Sequence, residues 1–552
     1  MKRRKKWLQV ALVGAITIVL LIATLYKLEA EASKQTKKPP TNVIMLIMDG
    51  SSNNTITLAR WYKGKNLALD GILTGAVTTY SAESAITNSA PAATALATGH
   101  KSNSGYIGVL PSKVDMPGVK EHPANALTPV ANVLEGAKQL GKATGIVATS
   151  EIQHATPASF STHVTSRNNY DDIGEQQVYQ NIDVILGGGY DYLLASNRKD
   201  GEDLIRVIED KGYDFISTRD ELLASKSNKI YGSFANIALA YDFDRTKIKS
   251  EEPTLAEMTS KAIETLSKDK DGFFLMVEGS KVDWAAHAND PIGMISELLA
   301  FDDAVKEALK FAQKDKNTMV IAVTDHGNSG ITIGNENTTF TYDQLNISNY
   351  IDPLKKATMT VEGALSQLKS DRSNIIEVAK LYGLDHLSKE EKATLNATAT
   401  TKLASTFVKL LAKRADLGFT TGGHTGDDVF LYSYGPQQIT GLVDNTDLAK
   451  EMAKFLGINL DKLTKDLYVN AEATLNAKGY TTTIDLSNPE NAVLVVKKGT
   501  TTYKIPENKN IIICTTTNQN GKANTNEIET STISVFNGTH FYISKATINS
   551  LK

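Results

Sequence analysis

The chain has 552 residues, 41% hydrophobic and 22% charged, which is the balance of a globular protein with a substantial core. Its formal net charge of −3 excludes a global basic field, and no patch of the kind that binds nucleic acid is present. Cys514 is the only cysteine, so no intrachain disulfide can form and stability must come from packing or metal.

The chain opens on "MKRRKK", followed by the uncharged run "WLQVALVGAITIVLLIATLY". A basic segment before an apolar one is an export signal, and this run is also long enough to span a bilayer. Small residues at Ala30–Ala32 suit cleavage, so residues 1–32 read as a signal peptide or a membrane anchor. Without them the balance is 53 basic to 60 acidic side chains, about −7, which suits an exported protein lying outside the membrane or anchored on its outer face. "SKQTKKPP" (33–40) is a polar, proline-ended linker.

"NVIMLIMDG" then predicts a strand buried on both faces. Similar runs follow at "ATGIVATS", "IDVILGGG", "GFFLMVEGS" and "TMVIAVTDHG", separated by helical patterns such as "LTPVANVLEGAKQLG" and "PTLAEMTSKAIETLS". This alternation predicts an α/β fold, a mostly parallel central sheet flanked by helices. Ligands of such sheets gather at the carboxyl ends of the strands, where Asp49, Glu278 and Asp325-His326 fall. Residues 331–419 are polar and helical, an insertion within a catalytic region spanning 41–465. Residues 466–552 carry short Thr/Val/Ile-rich runs and read as a small β-rich module.

Three of the nine histidines lie in acid-containing or glycine-rich motifs with metal-ligand spacing. In "EGSKVDWAAH" Asp283 and His287 share one helix face. "VTDHG" places Asp325 beside His326, and "GGHTGDD" sets His424 in a glycine-rich turn. Imidazole and carboxylate without thiolate suit Zn²⁺ or a similar ion, and an all-oxygen position suits Mg²⁺.

The order of "NVIMLIMDG", "TNSAPAATALATG", "SEIQHATPASFSTHVTSR", "VEGSKVDWAAHAND", "VTDHG" and "GGHTG" resembles the alkaline phosphatase family over roughly residues 41–465. The resemblance implies a phosphomonoesterase acting on small phosphate monoesters through a phosphoserine intermediate, with two Zn²⁺ and one Mg²⁺. It implies Asp283, His287 and His424 around the first zinc, and Asp49, Asp325 and His326 around the second. Asp49, Thr156 and Glu278 would surround the magnesium. Ser89 takes the nucleophile's place and Arg167 that of the phosphate fork, and relatives commonly form homodimers. Residues from the motifs themselves leave two other readings open: a phosphodiesterase on the same scaffold, or a non-catalytic surface protein that binds metal or phosphate.

Three positions around this site vary within the family, the first of them departing from many relatives. Asn88 replaces an aspartate that orients the arginine, which predicts that Arg167 is held less firmly. His154 and Trp284 stand where some relatives carry Asp and Lys, which leaves the identity and affinity of the third metal open.

Overall fold

In the computed structural model, residues 41–121 and 125–551 are described, so the expected export segment and linker lie outside the described residues. The strand read from "NVIMLIMDG", β1 (Asn42–Ile47), is buried along its whole length. Its side chains alternate between two cores. Ile44 and Leu46 pack with Met258, Leu298 and Phe301 on one face. Val43, Met45 and Ile47 pack with Leu96, Leu134 and Met452 on the other. A strand covered on both faces has no polar face to show, which is why its sequence is continuously apolar.

The remaining strands of this sheet are β2 (Leu73–Thr78), β3 (Ala143–Glu151), β4 (Val184–Gly188), β5 (Asp214–Ile216), β6 (Ile230–Ser233), β7 (Phe273–Glu278), β8 (Thr318–Val323), β9 (Val429–Tyr434) and β10 (Gly441–Asp444). Their spatial order is β10-β2-β9-β8-β1-β7-β3-β4-β6-β5, a ten-stranded sheet. All neighbours are parallel except β9, which runs antiparallel to both β2 and β8. The expected α/β architecture with a mostly parallel sheet flanked by helices is therefore present. Helices Leu255–Leu266 and Pro291–Asp315 cover one face. Helices Ser89–Thr98, Val133–Gln139 and Asn445–Leu456 cover the other.

Register decides what meets at the top of the sheet. Ile47 of β1 pairs with Val323 of β8 on one side and Glu278 of β7 on the other. Asp49, Asp325 and Glu278 are therefore delivered by three adjacent strands to the same carboxyl edge.

After β8 the chain passes into short helices, among them Ile347–Ile351, Val361–Ser366, Lys389–Ala397 and Leu403–Arg414. These bury an apolar cluster that includes Leu354, Tyr382 and Phe407 and takes in Ala285 and Ala286 of helix Lys281–His287. Thr332–Ile333 pairs antiparallel with Leu417–Gly418, and Gly327–Asn328 with His424–Thr425. These two small ladders form a neck that brings His424 back beside His326.

Toward the C-terminus, five antiparallel strands between Thr481 and Glu529 form a separate sheet. Its core, including Leu494, Tyr503 and Ile512, also takes in Ala471 and Phe541. Among the described residues no helix is long and apolar enough to cross a membrane.

Candidate active site

Beyond β1 the chain turns at Asp49-Gly50. Gly50 has φ +69°, and a Cβ there would lie 2.3 Å from Asp283 Oδ1. Only glycine permits that close approach of backbone to carboxylate. Helix Lys281–His287 sets Asp283 and His287 one turn apart, with His287 Nε2 3.4 Å from Asp283 Oδ2. His424 Nε2 lies 3.6 Å from Asp283 Oδ1 and 3.1 Å from His287 Nε2. His326 Nε2 lies 3.4 Å from Asp49 Oδ1 and 3.3 Å from Asp325 Oδ2.

The three histidines are oriented alike. His287 Nδ1 donates to the Gly422 carbonyl and His424 Nδ1 to that of Thr87, both at 2.8 Å. His326 Nδ1 meets the Gly327 carbonyl at 3.2 Å. A ring nitrogen that faces a carbonyl carries its proton there, so these bonds turn each Nε2 inward, toward the carboxylates. Two Nε2 atoms 3.1 Å apart repel unless a cation or proton lies between them.

The carboxylates make the same demand. Asp49 Oδ1, both oxygens of Glu278 and Asp325 Oδ2 are buried and accept no hydrogen bond. Burial, with Asp325, Asp283 and Glu278 nearby, raises the Asp49 carboxyl well above its ordinary range. Burial likewise pushes Glu278 up to about 8. Conversely, the hydrogen bond to Asp283 raises His287 to about 9. Asp49 and Glu278 cannot both stay ionised in a dry site without added positive charge. Asp283/His287/His424, Asp49/Asp325/His326 and Asp49/His154/Glu278 each offer ligand atoms within 4.8 Å of one another, so this donor set fits divalent cations. Thr156 Oγ1 joins the last group, 3.4 Å from Asp49 Oδ2.

Ser89 opens helix Ser89–Thr98, all ten residues of which are buried, so small side chains are what the packing there admits. Its Oγ lies 3.4 Å from His326 Nε2. Asn88 is the N-cap, and its Oδ1 accepts from Ala90 N at 3.2 Å. No hydrogen bond joins Arg167 to Asn88, whose Oδ1 serves the cap. Arg167 Nη2 instead donates to His154 Nε2 at 3.0 Å. Burial and the adjacent guanidinium push His154 down to about 3, so it is a neutral acceptor. Trp284 packs edge-on against the His154 ring, with centroids 6.0 Å apart.

Sequence reasoning missed Asn328. Its Nδ2 donates to Asp283 Oδ1 at 2.7 Å, and Ser52 Oγ donates to its carbonyl at 2.7 Å. One asparagine in "DHGNSG" carries no signal that separates it from an ordinary turn residue. The His154–Arg167 bond was equally silent, because it depends on how two loops meet.

Carboxylates and imidazoles gathered at a parallel-sheet edge around a buried serine define a metal-dependent hydrolase of phosphate esters. The chain belongs to the alkaline phosphatase family, whose profile matches residues 40–458. Alkaline phosphatase 3 of Bacillus subtilis (strain 168) is 37% identical over 487 residues, covering 83% of this chain and 98% of its own length. The crystal structure of Thermus thermophilus alkaline phosphatase superposes with a TM-score of 0.68 at 28% identity, covering 77% of this chain and 92% of that one. A histidine-to-aspartate variant of alkaline phosphatase from the Antarctic bacterium TAB5, with Mg bound in its M3 site, gives 0.54 at 26% identity, covering 76% and 99%. The chain is a phosphomonoesterase.

The partnerless carboxylate oxygens make stability depend on cations. Exhaustive chelation should lower the unfolding temperature by several degrees, and returning divalent cations should restore it. A well-occupied site contributes about 4 kcal/mol when free cation exceeds its dissociation constant about a thousandfold. Calorimetry showing the same transition with and without chelator would refute the reading.

Proposed function

We propose that this phosphomonoesterase works with two Zn²⁺ and one Mg²⁺ through a phosphoserine on Ser89. The observation that carries the proposal is Ser89 Oγ, buried beside His326 and the partnerless oxygens of Asp49 and Asp325. Asp283, His287 and His424 would hold one zinc, and Asp49, Asp325 and His326 the other. Asp49, Glu278 and Thr156 offer oxygen donors suited to magnesium. Bound cations supply Lewis acidity, lowering the pKa of a hydroxyl or water and neutralising charge on the phosphoryl oxygens.

The chain's own groups do the rest. Ser89 Oγ attacks phosphorus in line, the P–O bond to the alcohol breaks, and water then cleaves the phosphoserine. The Arg167 fork would grip two nonbridging oxygens of the dianion. At the helix start, Pro91 has no N–H, Asn88 Oδ1 takes the Ala90 N–H and the Asn88 carbonyl takes that of Ala92. The Ser89 N–H is the donor left for phosphate.

Ser89→Ala should keep its metal and lose turnover on the order of 10³-fold or more on an aryl monoester. Acid-quenched wild-type enzyme should carry phosphate on Ser89, and a quench without it overturns the mechanism. A matched diester, which offers the fork less charge, should be a much poorer substrate; comparable rates would favour the diesterase reading.

At the third site His154 Nε2 accepts from Arg167, so the proton of the neutral ring lies on its buried Nδ1 and the side chain should serve magnesium poorly. His154→Asp should supply a hard oxygen ligand and raise Mg²⁺ affinity about tenfold. Magnesium titration followed by calorimetry reads this directly, and unchanged affinity would remove His154 from that site.

The basic and apolar N-terminus supports export, with residues 41–552 outside the cytoplasmic membrane. N-terminal sequencing should find Ser33 after cleavage or Met1 in a retained anchor. Material found wholly in the cytosol would exclude both.

A further inference from the structure

Arg167 is half-buried, and its guanidinium makes one side-chain hydrogen bond, to His154. Among the described residues no carboxylate lies within salt-bridge distance of it. With so little holding the side chain, the backbone root decides where the fork sits. That root is an irregular loop tied to residues 105–109. Val164 exchanges two 3.0 Å backbone bonds with Ile107, and Arg167 N–H donates to the Gly105 carbonyl at 2.7 Å.

One residue anchors the segment on every side. His163 N–H donates to Gln176 Oε1 at 2.7 Å, and its carbonyl accepts from Gln176 Nε2 at 3.0 Å. His163 Nδ1 meets the Gly108 carbonyl at 2.8 Å, on the loop bridged to the arginine segment. Its Nε2 faces Glu135 Oε1 at 3.1 Å and the Tyr468 hydroxyl at 2.5 Å. Tyr468 also bonds Glu135. Gln176 Nε2 in turn donates to Asn508 Oδ1 at 2.9 Å, and Asn508 Nδ2 donates to Asp172 and Glu175 at 3.1 and 3.0 Å. His163, Gln176, Glu135, Tyr468 and Asn508 are all buried, so each bond lies where water cannot replace it.

Two of these partners come from the C-terminal part of the chain. Tyr468 leads into a short strand, Val469–Asn470, that pairs with Phe541–Ile543. Asn508 sits at φ +64° in the turn between strands Thr501–Pro506 and Ile511–Thr517. Both lie beyond residues 40–458, the stretch that matches the family profile. Tyr468 is also part of a small buried cluster joining Ile533, Val535 and Tyr542 to Ala131 and Tyr179 of the main body.

We propose that Tyr468 and Asn508 are positioning residues for Arg167, so that the C-terminal β-sheet and its flanking segments tune phosphate binding by locking His163. The proposal rests on Arg167 gripping phosphate, and the test separates the two. Tyr468→Phe keeps the ring and removes only the hydroxyl. Asn508→Gly removes the side chain and keeps a residue suited to the left-handed turn.

In the metal-loaded full chain, each variant should raise KM for an aryl phosphate and the inhibition constant for inorganic phosphate together, by roughly three- to tenfold. Turnover should stay within about twofold and metal content should not change. Introduced into Arg167→Ala, Tyr468→Phe should add less than about twofold, because the group it positions is gone. If Arg167→Ala weakens phosphate inhibition while Tyr468→Phe lowers only the unfolding temperature, the tie is merely structural and the proposal falls. Equal effects in both backgrounds overturn it as well. An unchanged inhibition constant in Arg167→Ala overturns the reading of the arginine itself, and this proposal with it. Should Asn508→Gly fail to fold, Tyr468→Phe decides alone.

Discussion

The protein is organised around an unfavourable contact. Register in the parallel sheet forces Asp49, Glu278 and Asp325 to one edge, and helix Lys281–His287 adds Asp283 to them. Buried like charges repel by several kcal/mol at these separations, far more than one surface ion pair returns. The sheet holds them together because strands packed on both faces cannot slide by one residue without turning their apolar side chains out of both cores. Cohesion in the core thus maintains a charge density that the site could never assemble by itself, and that density is what attracts cations.

Around the carboxylates the backbone does much of the orienting. Three carbonyls, of Thr87, Gly327 and Gly422, receive imidazole Nδ1 atoms and aim the opposite nitrogens inward. Asn328 holds Asp283 from the side. The neck of the helical excursion matters for the same reason, since Gly327–Asn328 pairs with His424–Thr425 and fixes two of the histidines against each other, their rings stacked 3.7 Å apart. The excursion also packs on Ala285 and Ala286 of the helix that carries Asp283 and His287, so it supports the site beyond the neck.

Much of this was legible in the sequence wherever one strong periodicity or one local motif sufficed. The apolar runs gave themselves away as β1, β3, β4, β7 and β8 because double burial leaves no alternation to confuse. Weaker strands escaped notice. β2 contains Gly75, where a Cβ would stand 2.0 Å from the Gly441 carbonyl, so tight contact between neighbours demands the residue that propensity counts against a strand. Asp214–Ile216 and Gly441–Asp444 are too short to show a period. In the site, acids and histidines were legible because they sit in compact motifs at strand ends. The partners of Asn88 and Arg167 were not, because they depend on how loops far apart in the chain meet. A capping asparagine and an orienting asparagine look identical until the neighbouring amide is placed.

His424 Nδ1 donates its hydrogen bond to the carbonyl of Thr87, across 337 positions of chain. The first and last donors of the cluster are thus separated by most of the folded body, and the neck must close before they meet. Contacts of such long sequence separation form late, after the entropy of closing large loops has been overcome. Until the segment around His424 reaches the site, Asp283 and His287 lack their third partner, although Asp49, Asp325 and His326 are already together. Completion of the Asp283/His287/His424 group is therefore a late step of folding, later than assembly of the groups built on Asp49.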